Sequence, residues 1–308
     1  MKQLSLYKNS LFLFLGFFCV TQTFSQDVEP RRWASMPLGL NAIGVGYAYT
    51  SGDVFFDPLL GAEDVTYKGN SFVASYVRPF KLWNKLARVD VLVPFSSSKW
   101  QGLLSGEPTS VQRTGFADPR IRFSLNLSGP PPVGPKELQE YRLNNPVFTT
   151  FGVSMAITFP FGEYFNDKLI NLGANRFIIR PQAGLVHYWG AWSFELTGSV
   201  LFFTNNNDFF NNQVQKKDPM FAFQTHLIRQ FGKKYWASVS AGYNQGASSV
   251  VNQQFNDDQR ANFVTALSIG RSFAGNQGIK LAYIFSDTQR DVGSTTNTLL
   301  LTWSILFK

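Results

Sequence analysis

Residues 192–202 read Trp-Ser-Phe-Glu-Leu-Thr-Gly-Ser-Val-Leu-Phe, and their alternation indicates the fold of the chain. Large apolar side chains stand at Trp192, Phe194 and Leu196, with polar ones at Ser193 and Glu195 between them. A period of two is typical of a β-strand, in which successive side chains point to opposite faces of the sheet. The stretch is therefore predicted to be a strand with one apolar and one polar face.

The same alternation recurs in segments of about ten residues, the length at which a tilted strand crosses a membrane. We predict about twelve strands, an even number as in bacterial single-chain barrels. Tight turns alternate with longer polar loops, as they do on the periplasmic and outer sides of such barrels. The predicted strands lie near residues 38–50, 68–80, 87–97, 115–127, 146–160, 174–188, 190–204, 218–231, 235–247, 260–273, 278–288 and 295–308.

One predicted periplasmic connection departs from this pattern because it is long. Residues 128–145 read Ser-Gly-Pro-Pro-Pro-Val-Gly-Pro-Lys-Glu-Leu-Gln-Glu-Tyr-Arg-Leu-Asn-Asn. The three consecutive prolines predict an extended start. We predict one short helix from Pro135 onward.

The composition separates a membrane barrel from its alternatives. The chain has 31 Phe, 11 Tyr and 7 Trp, yet its mean hydropathy is only −0.09. A soluble β-sandwich is the alternative, but its strands would average about five or six residues. In lipid a sheet must close on itself, because every backbone polar group has to pair internally. The predicted fold class is all-β, a transmembrane antiparallel up-and-down β-barrel.

The first residues are typical of a secretory signal peptide. Lys2 and Lys8 precede an apolar core at residues 11–20, and we place cleavage after Ser25. Cys19 lies inside that core, so the mature chain has no thiol. A lipoprotein signal is disfavoured because two phenylalanines precede Cys19. The predicted division is a signal peptide at 1–25, a short periplasmic segment at 26–36, too short for a folded plug domain, and the outer-membrane barrel at 37–308.

The end of the chain and its charge predict the partners. Residues 299–307 form an aromatic alternating strand that resembles the signal read by the barrel-assembly machinery, although Lys308 follows Phe307. The net charge is +8, or +6 without Lys2 and Lys8, and it is scattered, which argues against a nucleic-acid partner. We expect contacts with outer-membrane lipids and lipopolysaccharide, and a small-molecule solute.

Charged residues on the polar face are candidates to line the lumen. Both signs fall on neighbouring strands, so the side chains are able to pair across the barrel. Their role is either to fill a narrow barrel or to form a constriction that selects solutes. The lumen candidates are Arg88, Asp90, Asp118, Arg120, Arg122, Arg176, Arg180, Gln182, Glu195, His226 and Lys280.

Catalytic and metal-binding patterns are weak. The chain has two histidines, and neither has a serine two residues away, as outer-membrane lipases do. His187 falls on the predicted lipid side, and His226 meets Glu195 and a serine only if the fold brings them together. We predict no enzyme activity, no cofactor and no metal site. Calcium binding by the first outer loop is the weaker alternative to a solvated loop, since the spacing of its acids, Asp53, Asp57, Glu63 and Asp64, matches no EF-hand.

Several short motifs resemble a known family. Residues 114–122 read Thr-Gly-Phe-Ala-Asp-Pro-Arg-Ile-Arg, and residues 202–209 read Phe-Phe-Thr-Asn-Asn-Asn-Asp-Phe. Between them stand Phe-Pro-Phe-Gly-Glu-Tyr from 159 and Leu-Ile-Asn-Leu-Gly-Ala-Asn-Arg-Phe from 169, then Arg-Pro-Gln-Ala-Gly from 180. This order is similar to that in outer-membrane proteins named for the meta pathway of phenol degradation. The matching positions are Gly115, Asp118, Pro119, Gly173, Asn175 and Arg180, for which we expect structural roles.

The resemblance implies an outer-membrane barrel grouped with transporters. We therefore predict a channel or passive transporter for small molecules, aromatic or hydrophobic ones among them. The alternative is a non-conducting structural or adhesive barrel, and a barrel hydrolase comes third. The outer loop at 205–215 serves as a gate in the first case and as a contact surface in the second.

Overall fold

The computed structural model describes residues 20–21, 28–56, 61–273 and 276–308. The predicted signal peptide lies outside these residues apart from Val20–Thr21, and so do Cys19 and Asp57. No helix in the described part of the chain is long and apolar enough to span a membrane.

The strands in chain order are β1 (Val20–Thr21), β2 (Asn41–Phe55), β3 (Ala62–Leu82), β4 (Lys85–Leu104), β5 (Glu107–Phe116), β6 (Arg120–Asn126), β7 (Val147–Thr158), β8 (Ile170–Asn171), β9 (Ile178–Trp189), β10 (Trp192–Phe203), β11 (Asn206–Phe209), β12 (Gln213–Lys217), β13 (Met220–Phe231), β14 (Tyr235–Gly246), β15 (Ser249–Val251), β16 (Gln254–Asn256), β17 (Arg260–Phe273), β18 (Gln277–Thr288) and β19 (Gly293–Phe307). The helix α1 (Pro135–Asn144) lies between β6 and β7.

The described strands form a closed antiparallel barrel with twelve strand positions, here called staves. These are β2, β3, β4, the broken stave β5–β6, β7, β9, β10, β13, β14, β17, β18 and β19. The last strand returns to the first, with pairs from Gly293 with Phe55 to Phe307 with Asn41. Each unbroken stave, and β6 of the broken one, pairs with a neighbour on both sides, which is what lipid requires of a membrane sheet. The predicted fold class and strand number are confirmed.

The outward face of the barrel is apolar and the inward face is polar. On β13 and β17, for example, Phe223 is 58% exposed and Leu267 is 59% exposed. Their neighbours Gln224 and Ser268 are buried in the interior. Because one residue of offset moves a side chain to the opposite face, the alternation fixes which residues enter the lumen.

The outer ends of several strands extend beyond the predicted bounds. The predicted loop at 98–114 is instead a tall hairpin of β4 and β5 that turns at Ser105 and Gly106, both with positive φ. The packing of Trp100 against Tyr67, with ring centroids 5.2 Å apart, supports this hairpin from β3. The predicted loops at 205–218 and 247–259 contain a small sheet in the order β11-β12-β15-β16.

The periplasmic end carries short turns at residues 83–84, 190–191 and 232–234, together with α1. Pro135 at the first helical position favours the start of the predicted helix, because its missing N–H has no partner there in any helix. Leu138 is buried, and Arg142 Nη2 donates to the carbonyl of Ser35 at 3.0 Å. The long connection thus packs against the residues that precede the first barrel strand.

Candidate functional site

Residues 28–36, here called the N-terminal segment, lie inside the periplasmic half of the barrel. They belong to the short periplasmic segment that was predicted at 26–36 ahead of the barrel. Val28 packs against Val264 and Ala266 on the inward face of β17. The guanidinium of Arg31 lies 5.5 Å from the ring of Trp236 at the periplasmic end.

Trp33 anchors the N-terminal segment to the barrel wall. The side chain is 1% exposed, and its Nε1 donates to Thr197 Oγ1 at 2.7 Å. Two glycines on the facing strands make room for the ring. A Cβ at Gly152 would lie 2.6 Å from the ring, and one at Gly184 would lie 2.3 Å from Nε1. The inward glycines of β7 and β9 therefore leave the space that the indole occupies, here called the glycine seat.

The turn before Trp33 covers a buried carboxylate. Arg32 donates its backbone N–H to Glu195 Oε2 at 3.1 Å, and Glu195 is fully buried. An uncompensated carboxylate in this interior would be costly, so backbone N–H groups of the segment stabilise it. Glu195 on β10 lies opposite His226 on β13.

A charged cluster joins the N-terminal segment to β4 and β6. Arg122 donates to Asp90 Oδ2 and lies within 2.9 Å of both this oxygen and Glu29 Oε2. Arg88 Nε lies 2.8 Å from Asp90 Oδ1. Arg120 Nη2 lies 3.3 Å from Glu29 Oε1. Each buried charge thus has an oppositely charged neighbour, as a low-dielectric interior requires.

Glu29 belongs to the segment and not to a membrane strand. Burial alone would raise the pKa of its carboxyl, but the guanidiniums of Arg122 and Arg32 outweigh that effect and lower it to about 2. The carboxylate is therefore charged throughout the physiological range. It holds the segment against the arginines of the wall.

The remaining lumen candidates have further neighbours on the barrel wall. Arg180 Nε donates to Ser199 Oγ at 3.1 Å, and Gln182 accepts from Ser154 at 3.0 Å. Lys280 lines an open cavity of the lumen. Two lumen candidates, Asp118 and Arg176, were predicted to lie within strands, but the structure places both outside strands. Asp118 lies in the break between β5 and β6, because Pro119 removes a backbone donor there, and Arg176 precedes β9.

Asp118 ties the broken stave to the outer loop at 159–177. Its Oδ1 accepts from the backbone N–H of Gly162 at 2.8 Å, and its Oδ2 accepts from that of Ala174 at 2.7 Å. Gly162 and Gly173 pack closely around this carboxylate, and a Cβ at either would lie within 3.0 Å of Oδ1. The family-motif positions Asp118 and Gly173 thus meet at one hydrogen-bonded junction.

The N-terminal segment leaves one large cavity along the wall of β19, β2 and β3. The cavity has a volume of about 450 Å³. Its lining runs from Val54 and Ser294 at the outer end to Gly44 and Ser304 near the periplasmic end, and Val28 belongs to its opposite side. Most lining side chains are small, hydroxylated or aliphatic. The cavity therefore follows most of the barrel height beside the segment.

Two smaller cavities lie at different heights of the barrel interior. One of about 180 Å³ lies in the outer half, beside β7, β9 and the broken stave. Leu92 and Arg260 line both this cavity and the large one. The other, of about 10 Å³, lies below Trp33 at the periplasmic end and is about the size that one water molecule needs.

The histidines occupy different surroundings. His226 Nδ1 lies 2.8 Å from Ser240 Oγ, and both side chains are buried. Neither residue lines any of the cavities described above. His187 faces outward and hydrogen-bonds Thr149 at 2.8 Å. Within the described residues, no group of three or more His, Cys, Asp and Glu side chains is placed to hold a metal ion.

Several site residues were not predicted from the sequence. Glu29, Arg32 and Trp33 belong to a stretch without periodicity. Lys217 fell in a predicted outer loop and Arg260 at the start of a predicted strand, both without a lumen role. The signal that was available is the composition of residues 28–33, Val-Glu-Pro-Arg-Arg-Trp. A tryptophan among charges just before a barrel strand is unusual for a solvated leader.

Comparison with solved structures agrees with this architecture. An outer membrane channel from Pseudomonas putida F1 superposes with a TM-score of 0.77 at 18% identity, covering 91% of this chain and 100% of that chain. The transport unit of the autotransporter AIDA-I from Escherichia coli gives 0.51 at 8% identity, covering 92% and 93%. These likenesses show the fold. Among curated proteins, none matches this chain.

The closed barrel with its apolar outer face is that of a protein of the bacterial outer membrane. A family model described as "Putative MetA-pathway of phenol degradation" matches residues 44–300. The match covers most of the chain and includes all the motifs on which the resemblance rested. The chain belongs to this family.

Proposed function

We propose that the barrel is a channel through which small molecules diffuse passively across the outer membrane. The observation that carries this proposal is the cavity of about 450 Å³ along β19, β2 and β3. The N-terminal segment fills the opposite side of the lumen, so solutes pass between the segment and this wall. A narrow path of this kind limits the solutes by size.

The lining of the path indicates the solutes that suit it. Thr296, Thr298 and Ser71 offer hydroxyl groups, while Val73, Ile284 and Leu300 offer apolar surface. A mixed wall of this kind solvates small molecules with an apolar body and a few polar groups. Small aromatic and hydrophobic compounds fit this description, and the phenol pathway in the family description agrees with it.

A non-conducting structural barrel is the alternative function. It would need a sealed lumen, whereas the wall beside the segment is lined by small side chains such as Gly44, Gly46 and Ala48. Hydrolysis is disfavoured because His226 and Ser240 are both buried and neither lines a cavity described above. We therefore propose transport without catalysis.

The barrel surface meets membrane lipids through its exposed apolar side chains. We further propose that the outer rim contacts lipopolysaccharide and that residues 299–308 are read by the barrel-assembly machinery. Deletion of the last aromatic strand residues tests the second point, since loss of membrane insertion in cells is the expected result.

The channel proposal is tested by single-channel conductance of the refolded mature chain in planar lipid bilayers. Ala48 lines the path, and its neighbour Tyr49 points outward. Ala48→Trp should reduce the conductance strongly, whereas Tyr49→Trp should leave it unchanged. A folded wild-type barrel that shows no conductance, or an Ala48→Trp barrel that conducts like the wild type, would overturn the proposal.

A further inference from the structure

Two lysines lie directly opposite each other on the outward side of β3 and β4. Lys68 pairs in register with Lys99, and both side chains are exposed. Directly opposite side chains of an antiparallel pair have Cβ atoms about 4.5–5.5 Å apart, so like charges at such positions repel each other. An anion that contacts both ammonium groups removes this repulsion. The pair therefore points to an anionic partner outside the barrel.

A row of aromatic rings on the same face fixes the height of the two lysines relative to the membrane. The row consists of Tyr47, Phe72, Phe95 and Phe116, each paired in register with the next across β2 to β5. Aromatic rows of this kind lie at the membrane–water interfaces of barrels. Lys68 and Lys99 lie four positions further out on their strands, which is roughly 13 Å along a tilted strand. The lysines are thus at the level of the lipid headgroups.

Uncharged polar side chains fill the level between the aromatic row and the lysines. Asn70 pairs in register with Ser97, and Ser97 with Thr114. Tyr47 Oη donates to Asn70 Oδ1 at 2.7 Å, and Ser97 Oγ lies 2.8 Å from Thr114 Oγ1. The outward face therefore changes from aromatic to neutral polar to cationic with height. This order matches that of acyl chain, polar linkage and phosphate in a membrane lipid.

The acidic residues of the outer wall lie beyond the lysines. Asp53 pairs in register with Thr66, and Glu63 with Leu103, both nearer the outer ends of the strands. At the level of the lysines the neighbours are neutral. Ser51 pairs with Lys68 and Gln112 with Lys99. The two ammonium groups thus form a cationic site bordered by groups that donate hydrogen bonds.

We propose that Lys68 and Lys99 together bind a phosphate group of lipid A, the membrane anchor of lipopolysaccharide. This inference rests on the proposed contact of the outer rim with lipopolysaccharide, and it is independent of the channel. A phosphate accepts charge-assisted hydrogen bonds from both ammonium groups at once. The flexible stems of the lysines let the two groups converge on it, while the acyl chains lie against Phe72 and Phe95. The phosphate thus relieves the repulsion between the two lysines.

The test titrates the folded mature protein in detergent with purified lipid A and counts bound lipid by native mass spectrometry. Lipid A from which a phosphatase has removed the phosphates is the second probe, and inorganic phosphate is the third. Lys68→Gln and Lys99→Gln each remove one charge from the site. Lys81→Gln is the matched control, because Lys81 is an exposed lysine of the same strand β3 at its periplasmic end.

We expect saturable binding of lipid A and weaker binding of the dephosphorylated form. Each lysine variant should weaken lipid A binding by about three- to fivefold, the effect of one exposed ion pair, while Lys81→Gln keeps the wild-type affinity. Equal binding of the two lipid A forms overturns the inference, and so do unchanged affinities of Lys68→Gln and Lys99→Gln. Displacement of lipid A by an equimolar amount of inorganic phosphate would show a site for the free anion and also overturn it.

Thermal unfolding gives a second readout with the opposite sign. Without lipid A, Lys68→Gln should raise the Tm in detergent, because it removes the repulsion from Lys99. With lipid A, the wild type should gain more in Tm than the variant. A lower Tm of Lys68→Gln without lipid A would overturn the inference.

The two proposals fail in different ways. Lipid A binding that depends on neither lysine would overturn this site and support the contact of the rim with lipopolysaccharide. A folded barrel that binds no lipid A would overturn both.

Discussion

Trp33 and Thr197 lie 164 positions apart in the sequence, and a hydrogen bond of 2.7 Å joins the indole Nε1 of the first to the hydroxyl of the second inside the lumen. The bond connects the residues before the first barrel strand to the middle of the chain. It fixes the N-terminal segment against one wall and leaves the opposite wall lined by the large cavity. The width of the solute path therefore depends on how firmly the segment is held.

Replacement of the anchor should release the segment. Trp33→Ala removes a buried aromatic side chain, a change that destabilises packing by about 3–5 kcal/mol. We expect a larger conductance and new trypsin cleavage after Arg32, which is buried in the wild type. Trp83→Ala is the control, because Trp83 lies in a periplasmic turn and is 80% exposed. Unchanged conductance and protease resistance in Trp33→Ala would contradict the anchoring role.

The glycine seat of the indole gives an independent test. A methyl group at position 152 would lie 2.6 Å from the ring of Trp33, so Gly152→Ala should displace the segment much as Trp33→Ala does. Because the two changes act on one contact, their effects should not add. A double-mutant cycle of protease sensitivity measures this coupling. Strictly additive effects would show that Gly152 acts on something other than Trp33.

The charge of Glu29 makes the docking of the N-terminal segment depend on pH. Its pKa is lowered in the folded state to about 2 from an ordinary value of 4.5. The stabilising contribution is therefore complete above about pH 4.5 and is lost as the pH falls through about 2. Arg32, Arg88 and Arg122 face this carboxylate, with Arg120, Arg180, His226 and Lys280 also near it.

Single-channel recordings across this acidic range should show the channel opening more often as the pH falls. Glu29→Gln should open more often already at neutral pH and should lose this part of the acid response. A Glu29→Gln channel with the acid response of the wild type would assign that response to another group.

The junction at Asp118 should control the stability of the outer loop. Asp118→Asn replaces one accepting oxygen by an N–H₂ group that faces a backbone donor. The loss of such a charged hydrogen bond costs about 1.5–3 kcal/mol. We expect faster proteolysis within residues 159–177 and a lower Tm. Asp167→Asn is the control, since Asp167 lies in the same loop with an exposed side chain. Equal loop proteolysis in the two variants would argue against the junction.

A charged side chain on the outward face of the barrel should destabilise the protein in lipid, although that face is exposed in the isolated chain. Leu267 lies near the middle of β17 and is more than half exposed in the isolated chain. A lysine at the bilayer midplane destabilises a barrel by about 2–4 kcal/mol, so Leu267→Lys should lower the free energy of unfolding in lipid by that amount. Thr109→Lys, in the outer hairpin, should have little effect. Equal stability of Leu267→Lys and wild type would place β17 outside the membrane core.

The strands were predictable because their signal is local. The predicted segment at 260–273 coincides with β17, and alternation alone assigns Glu195 and Arg122 to the interior. The N-terminal segment was not predictable in this way. Its contacts with Thr197 and Glu195 form only in the closed barrel, and its own residues have no period. The outer hairpin of β4 and β5 was missed because polar residues such as Gln101 and Gln112 occur in strands outside the membrane as well as in loops.

The N-terminal segment also sets a requirement for assembly. Residues 37–40 join it directly to β2, and β2 forms the seam with β19 that closes the barrel. The segment must therefore be docked before the seam forms or be threaded in afterwards through the mouth that α1 partly covers. Four of its partners, Ser124, Gly152, Gly184 and Thr197, belong to β6, β7, β9 and β10, which are consecutive neighbours in the sheet. These four strands already offer this binding surface before the barrel closes, so early docking of the segment would keep β2 close to the sheet until β19 pairs with it.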